Sequence, residues 1–435
     1  MAALPGSASA AAEDGSSVFI PANAANEGEK ESVYGYCSMC MAIGNCNFVA
    51  SMKDGVVVNV EGDPARATND GTLCPRGKGM IMNLYNPHRI KAPMKRTNPE
   101  KGVDVDPGWV EISWEEAIDI AAEKIQAVLD DDPRKLVNFF GFAAYEAASA
   151  AFGLGVWAHL LGTPNIVSTN GEMCDLHYGG LFTFDSFPTV NYDSLRTEYV
   201  VMLGRGLGAD YGDSGGGARS FGQNLRTKHT KYVFVAPRAS MESSRGEWIP
   251  ARQGYDLALV YSWLHCMLYE IDNGFDKEFV TNRTNAPYLI DADGNYVVND
   301  DGKPMLWDKK SDSAKAWDDP TLGEPALEGK HKVNGKSCTV AFQLFKESLK
   351  DFTPEWAEPL TDVPAAKIRE IVNDLVAHAH FGETIEIEGK KVPFRPACVL
   401  IGRGDTNQED GTLTDIFSRV LNILLGNIGV PGGLL

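Results

Sequence analysis

Four cysteines near the start of the chain, Cys37, Cys40, Cys46 and Cys74, have types and spacing suited to holding a metal. They form C-x2-C-x5-C, followed after 27 intervening residues by Leu73-Cys74-Pro75-Arg76-Gly77. A local run plus one distant thiolate is a common way to hold an iron-sulfur cubane, and such a cluster passes electrons one at a time. A zinc ribbon would bring two tight C-x2-C knuckles instead. Zinc and a pair of disulfides are the alternative readings of the same residues, with Cys37 and Cys40 too close together for an ordinary structural bridge.

The elements around these cysteines read as a small sheet. Asn47 to Met52, the turn Lys53-Asp54-Gly55 and Val56 to Val60 make a hairpin. So few residues bury little apolar surface unless a cluster pins them. After Pro93 the texture changes to alternating α/β. Ser113-Trp114-Glu115-Glu116 is a capping box opening a helix to about Leu129, followed by a strand from Leu136 to Gly141 and a helix from about Ala144 to Leu161. A strand at Tyr199 to Leu203, a glycine-rich loop, a helix near Gly222 to Thr227, a strand at Lys231 to Ala236 and a helix at Tyr255 to Ile271 continue the pattern. Units of this kind build a parallel sheet with ligands at the strand C-terminal ends. The stretch from Asp291 to Ser337 is polar and rich in Asp, Gly and Lys, and reads as an inserted surface excursion. Helices are expected again at Val340 to Leu349 and Pro364 to His378, then a strand at Ala397 to Ile401 leading into Gly402-Arg403-Gly404.

With 435 residues and 43% hydrophobic content, the chain can bury a large core in two or more domains. No apolar run is long enough to span a bilayer. A formal net charge of −19 argues against a nucleic-acid partner, since neutralising phosphate takes clustered Lys and Arg. The remaining cysteines, Cys174, Cys266, Cys338 and Cys398, have no framework spacing. Met1 to Ala12 contains Ala8-Ser9-Ala10, which has the small residues of an export-signal cleavage region but neither a basic n-region nor an apolar h-region. Residues 1 to 32 are expected to be a disordered tail or a signal remnant. At the other end, Leu421 to Gly433 reads as a helix running into a glycine-rich loop, an ending that points to further sequence beyond.

Several stretches in order give the chain a family likeness. They are the cysteine set with Cys74-Pro75-Arg76-Gly77, Asn86-Pro87-His88-Arg89-Ile90-Lys91-Ala92-Pro93-Met94, Ile112-Ser113-Trp114, Leu161-Gly162-Thr163-Pro164-Asn165, Ala236-Pro237-Arg238, Gln253-Gly254-Tyr255-Asp256, and Leu425 to Gly429 with Pro431-Gly432-Gly433. On these the chain resembles the N-terminal portion of the catalytic subunit of molybdopterin oxidoreductases of the dimethyl sulfoxide reductase superfamily. The resemblance implies an α/β fold: a small N-terminal β-rich iron-sulfur domain, then Rossmann-like parallel-sheet α/β domains. It implies an iron-sulfur domain over 33–95, an incomplete pterin-binding domain over 96–160 with 385–435, and a second over 161–384 carrying the polar insertion 291–337. Family members continue for several hundred residues more.

The implied cofactors are a 4Fe-4S cluster on Cys37, Cys40, Cys46 and Cys74, and molybdenum or tungsten held by two molybdopterin guanine dinucleotides (bis-MGD). One side chain completes the metal's ligands, and here it is Asp175 or Cys174, both chemically suited to a high-valent metal. The neighbourhood of Asn170-Gly171-Glu172 and Thr183-Phe184 resembles the Asp-ligand branch, although that branch often has His where Cys37 stands. Arg76 matches the cation between cluster and pterin, and His177 is placed to donate a proton. Nucleotide contacts are implied for Gly204, Arg205, Gly206, Pro237, Arg238, Gln253, Gly254, Asp256, Gly402, Arg403 and Gly404, with backbone N–H groups and Arg238 meeting phosphate and Asp256 accepting from guanine. The implied function is a reductase that removes oxygen or hydroxyl from its substrate. Its partner would be a ferredoxin-like iron-sulfur subunit, with a membrane-anchor subunit possible beside it, on the exported side of the cell envelope. The alternatives are a hydratase or phenolic dehydroxylase of the same family, and an electron-transfer module without turnover.

Overall fold

The computed structural model describes residues 10–11, 17–18, 31–37, 46–66, 69, 71–140, 156–168, 183, 192–206, 216–227 and 229–434. The chain divides into two compact units, Met1–Glu172 with Gly208–Arg219, and Met173–Leu207 with Ser220–Leu435.

In the first unit an antiparallel sheet joins β1 (Glu31–Cys37), β2 (Cys46–Lys53) and β3 (Val56–Gly62). Asp54 and Gly55 both have positive φ (54° and 74°), the conformation a two-residue hairpin turn needs to match strand twist. Cys46, Ala50, Val60 and Leu73 form its small buried cluster, with Val33, Cys37 and Phe48 packed against it. Helix α1 (Trp114–Asp131) starts where the Ser113 side chain accepts from the Glu116 N–H. It is followed by a parallel pair, β4 (Asn138–Phe140) and β5 (Ile166–Ser168).

The second unit is built on a four-stranded parallel sheet of β6 (Tyr199–Leu203), β7 (Lys231–Val235), β8 (Glu247–Ile249) and β9 (Ala397–Ile401), in the order β8-β7-β6-β9. Every residue of β6 is buried, as an inner strand covered on both faces requires. Its odd-numbered residues Tyr199, Val201 and Leu203 join Val233, Val235 and Val399 in one core with Trp263, Leu264, Ile368 and Leu421. Val200 and Met202 join Tyr232, Phe234, Cys398 and Leu400 in a second core, closed by Phe221 of α2 (Gly216–Thr227). Helices α3 (Asp256–His265) and α4 (Gly411–Leu424) complete the unit's frame.

Some expectations shift. The helix near Gly222 begins six residues earlier, at Gly216. The helix from Tyr255 is α-helical only to His265, and Cys266–Glu270 continues as a π turn. The polar stretch 291–337, expected only as an inserted surface excursion, carries strands of its own. It holds Met305–Asp308 paired with Ser313–Ala316, and Lys330–Val333 paired with Lys336–Val340, beside Leu289–Asp291. A further helix, Pro354–Thr361, was not expected. Residues 397–401 lie beside 199–203.

Candidate functional site

The strands of the parallel sheet end together. Gly204 follows β6, Ala236-Pro237-Arg238 follows β7, Ala251 to Gly254 follows β8, and Gly402 follows β9. The chain runs from β6 through β7 to β8 in one direction, and β9 is added on the other side of β6. Open parallel sheets bind ligands at these carboxyl ends of their strands. A cavity of about 220 Å³ opens there, lined by Gly204, Arg205, Gly206, Pro237, Arg238, Gln253, Asp256 and Gly404 among the residues anticipated from sequence. Ser240, Ser243 and Arg252 also line it, and sequence reasoning missed them.

The glycines there serve close packing of two loops. The Gly404 N–H donates to the Gly204 carbonyl (3.2 Å), and a Cβ on Gly404 would stand 2.6 Å from that oxygen. Gly204 has φ +56°, and a Cβ on it would meet the Asp405 backbone nitrogen at 2.5 Å. Gly402 is buried against Gly204 and Arg205, while Arg403 opens the short helix Arg403–Thr406. The loop after β7 is tied by Ser240 and Ser243, each of whose backbone N–H groups donates to the other's hydroxyl (2.8 and 3.1 Å). The Trp248 indole N–H donates to the Ala236 carbonyl (3.0 Å).

Charge at this edge is mixed and specific. Arg252 is held by both oxygens of Asp362 (2.9 and 2.7 Å) and lies over the Tyr255 ring. Burial pushes the Asp256 carboxyl above the usual range, opposed by donors from Gln408 and from backbone N–H groups including that of Gly254. Gln408 Nε2 is 2.9 Å from Asp256 Oδ2 and 2.6 Å from the Asp405 carbonyl. Asp405 is fully buried, and burial drives its carboxyl well above the ordinary value. Its Oδ1 accepts from the Gly402 N–H (2.9 Å), and its Oδ2 has no hydrogen-bond partner among the described residues. Neither Asp405 nor Gln408 belongs to a motif; the only signal is that they follow Gly402-Arg403-Gly404 directly.

In the first unit, Cys37 and Cys46 are direct cross-strand partners of β1 and β2. Cys74 caps the short helix Pro75–Lys78, which contains Arg76 with its side chain exposed. Among the described residues these thiols do not close into a metal-binding group. The fourth, Cys40, lies outside the described residues, as do Cys174, Asp175 and His177.

The donor set of the strand-end cavity fits one of the groups that the sequence likeness implies. Three guanidinium side chains, two hydroxyls and one carboxylate around a strand-end cavity suit a phosphate-bearing nucleotide whose base offers N–H groups. The volume is below the roughly 300–1,000 Å³ of whole small-molecule sites, so it suits one end of a pterin dinucleotide. These features define a class of nucleotide-binding α/β proteins with a cysteine-rich β domain. The sequence profile of the molybdopterin oxidoreductase family matches residues 89–434, and that of the molybdopterin oxidoreductase Fe4S4 domain matches residues 31–86. The chain belongs to the molybdopterin oxidoreductase family, whose cofactors are a molybdenum or tungsten pterin and a 4Fe-4S cluster.

Among curated relatives, a sulfite dehydrogenase subunit of Allochromatium vinosum is 28% identical, over 91% of this chain and 42% of that protein. The molybdopterin-containing subunit of arsenate respiratory reductase from Shewanella sp. is 27% identical, over 97% of this chain and 43% of its own. The chain thus spans under half the length of these relatives. Acetylene hydratase from Pelobacter acetylenicus shares the fold, with a TM-score of 0.61 and 17% identity over 94% of this chain and 44% of that one. Among the described residues no helix is long and apolar enough to cross a membrane.

Proposed function

We propose that this chain is the N-terminal portion of the catalytic subunit of a molybdenum or tungsten bis-pterin reductase that removes oxygen or hydroxyl from its substrate. The observation that carries this is the gathering of Arg205, Arg238, Gln253, Asp256 and the glycine loops around one cavity at the ends of four parallel strands. The balanced reaction is XO + 2 H⁺ + 2 e⁻ → X + H₂O. The metal pterin supplies the two-electron oxygen transfer.

The residues of this chain have distinct tasks in this reading. Arg205 and Arg238 hold phosphate, and Asp256 accepts from the nucleotide base. The thiolates of Cys37, Cys40, Cys46 and Cys74 would hold the cluster, and Arg76, two residues past Cys74, would supply a fixed cation beside that thiolate that tunes its potential. Asp175 or Cys174 would complete the metal's ligands, and His177 would serve as the proton donor. Electrons arrive from a ferredoxin-like iron-sulfur subunit outside the cytoplasm. The similar proteins named as subunits, one of them an arsenate respiratory reductase, support that assembly.

Metal analysis of the purified holoprotein tests the reading. About four irons and one molybdenum or tungsten per chain are expected; iron alone would leave an electron carrier, and zinc would end both readings. Dye-coupled assays then separate a reductase, which consumes reduced viologen with an oxyanion, sulfoxide or catechol, from a hydratase, which consumes none. Comparing Asp175→Asn with Cys174→Ser identifies the metal ligand, because only its loss changes the metal's electron paramagnetic signal.

A further inference from the structure

Gln408 reaches across the site. Its amide nitrogen carries two hydrogens, and both are engaged, one by Asp256 Oδ2 (2.9 Å) and one by the Asp405 carbonyl (2.6 Å). That leaves the amide one orientation. Its Oε1 turns toward Gly254, where a Cβ would stand 3.8 Å away. Asp256 and Gly254 follow β8, and Asp405 and Gln408 follow β9. These strands are the two edges of the sheet, roughly 14 Å apart at about 4.8 Å per strand. One side chain thus joins the outer loops of the site.

We propose that Gln408 is a positioning residue that fixes the plane of the Asp256 carboxylate against the base of the pterin dinucleotide and ties it to the loop after β9. The proposal rests on reading this cavity as the nucleotide end of the cofactor site. A carboxylate receives two base N–H groups only when ionised. Burial opposes that ionisation and the Gln408 N–H favours it. The charged groups around Asp256 are Arg205, Arg238 and Arg252 lining the cavity, with Asp405 on the β9 side and Asp415 near it. Removing the amide therefore shifts nucleotide retention toward higher pH, which a purely structural role would not do.

The test uses the holoenzyme and its Gln408→Met, Gln408→Asn and Asp256→Asn variants, held at a series of pH values and then desalted. Retained nucleotide is read as GMP released by acid hydrolysis, per four irons. Wild type is expected to lose nucleotide only in acid. Gln408→Met should retain it roughly tenfold less firmly, with its half-loss point moved to higher pH, and Asp256→Asn should retain it poorly at every pH without a step. If Gln408→Met does not fold, judged by iron content and circular dichroism, Gln408→Asn decides: its amide is one methylene short, and the same upward shift is expected. A Gln408 variant with wild-type occupancy and an unmoved half-loss point, beside an Asp256→Asn that loses nucleotide, overturns the role of Gln408 alone. Wild type that releases no GMP overturns the reading of the cavity.

Discussion

At the scale of residues, the carboxyl groups behind the strand-end cavity show how burial sets protonation. Asp405 is enclosed with one oxygen accepting from Gly402 and the other unpartnered among the described residues, and burial raises its carboxyl well above 3.8. The folded chain therefore keeps a proton that the unfolded chain releases at about pH 4. Stability contributed this way is present below the unfolded value and is lost as pH rises toward the folded value. Asp405→Asn keeps an acceptor for the Gly402 N–H and removes the titration. Its Tm should match wild type near pH 4 and exceed it increasingly toward neutral pH; a Tm difference that does not change with pH would mean that Asp405 is ionised throughout. Sequence reasoning reached Asp256 through a motif but not Asp405 or Gln408. Their importance comes from what encloses them, and no local pattern encodes it.

At the scale of elements, the continuous apolar runs were legible. Tyr199–Leu203 and Ala397–Ile401 were placed at the residues where the strands lie, because a parallel strand covered on both faces of its sheet reads as a continuous apolar run, whether inner like the first or at the edge like the second. Turn chemistry was only partly read. Asn334 and Gly335 (φ 52° and 81°) close a hairpin within the polar stretch, where a surface composition hid the alternation of its strands. Helix Pro354–Thr361 was not anticipated; Pro359 lies inside it, and the Thr353 side chain caps its start by accepting from the Trp356 N–H. The loops of Gly204 and Gly404 touch backbone to backbone. Gly404→Ala should therefore push the β6 and β9 loops apart and cost about 1–3 kcal/mol, measured by denaturant unfolding. A midpoint equal to that of wild type would show that the loops part freely.

At the scale of the whole molecule, sequence-distant segments of the second unit are tied by a buried ion pair. Arg395 Nε and Nη2 both lie 2.7 Å from Asp276 Oδ2, and Arg395 Nη1 donates to the carbonyls of His380, Glu383 and Phe394. Asp276 also caps Lys277–Arg283 through the Phe279 N–H (2.9 Å). Arg395→Met leaves that carboxylate buried without its partner, so a loss of about 3–5 kcal/mol is expected. Unfolding monitored by the buried Trp263 reports it, and a loss below about 1 kcal/mol would show that water reaches Asp276. Nothing in the sequence paired these residues, which stand 119 positions apart.

The sequence by itself determined the family, the cofactor set and the α/β class, because cysteine spacing, strand-end motifs and apolar runs are local in the chain and keep their meaning without a fold. Only the tertiary structure decided which loops share a cavity. Placing β9 beside β6 brought Gly404, Asp405 and Gln408 to Gly204 and Asp256. Strand order depends on how two cores close on the two faces of one sheet, and that burial is a property of the whole unit.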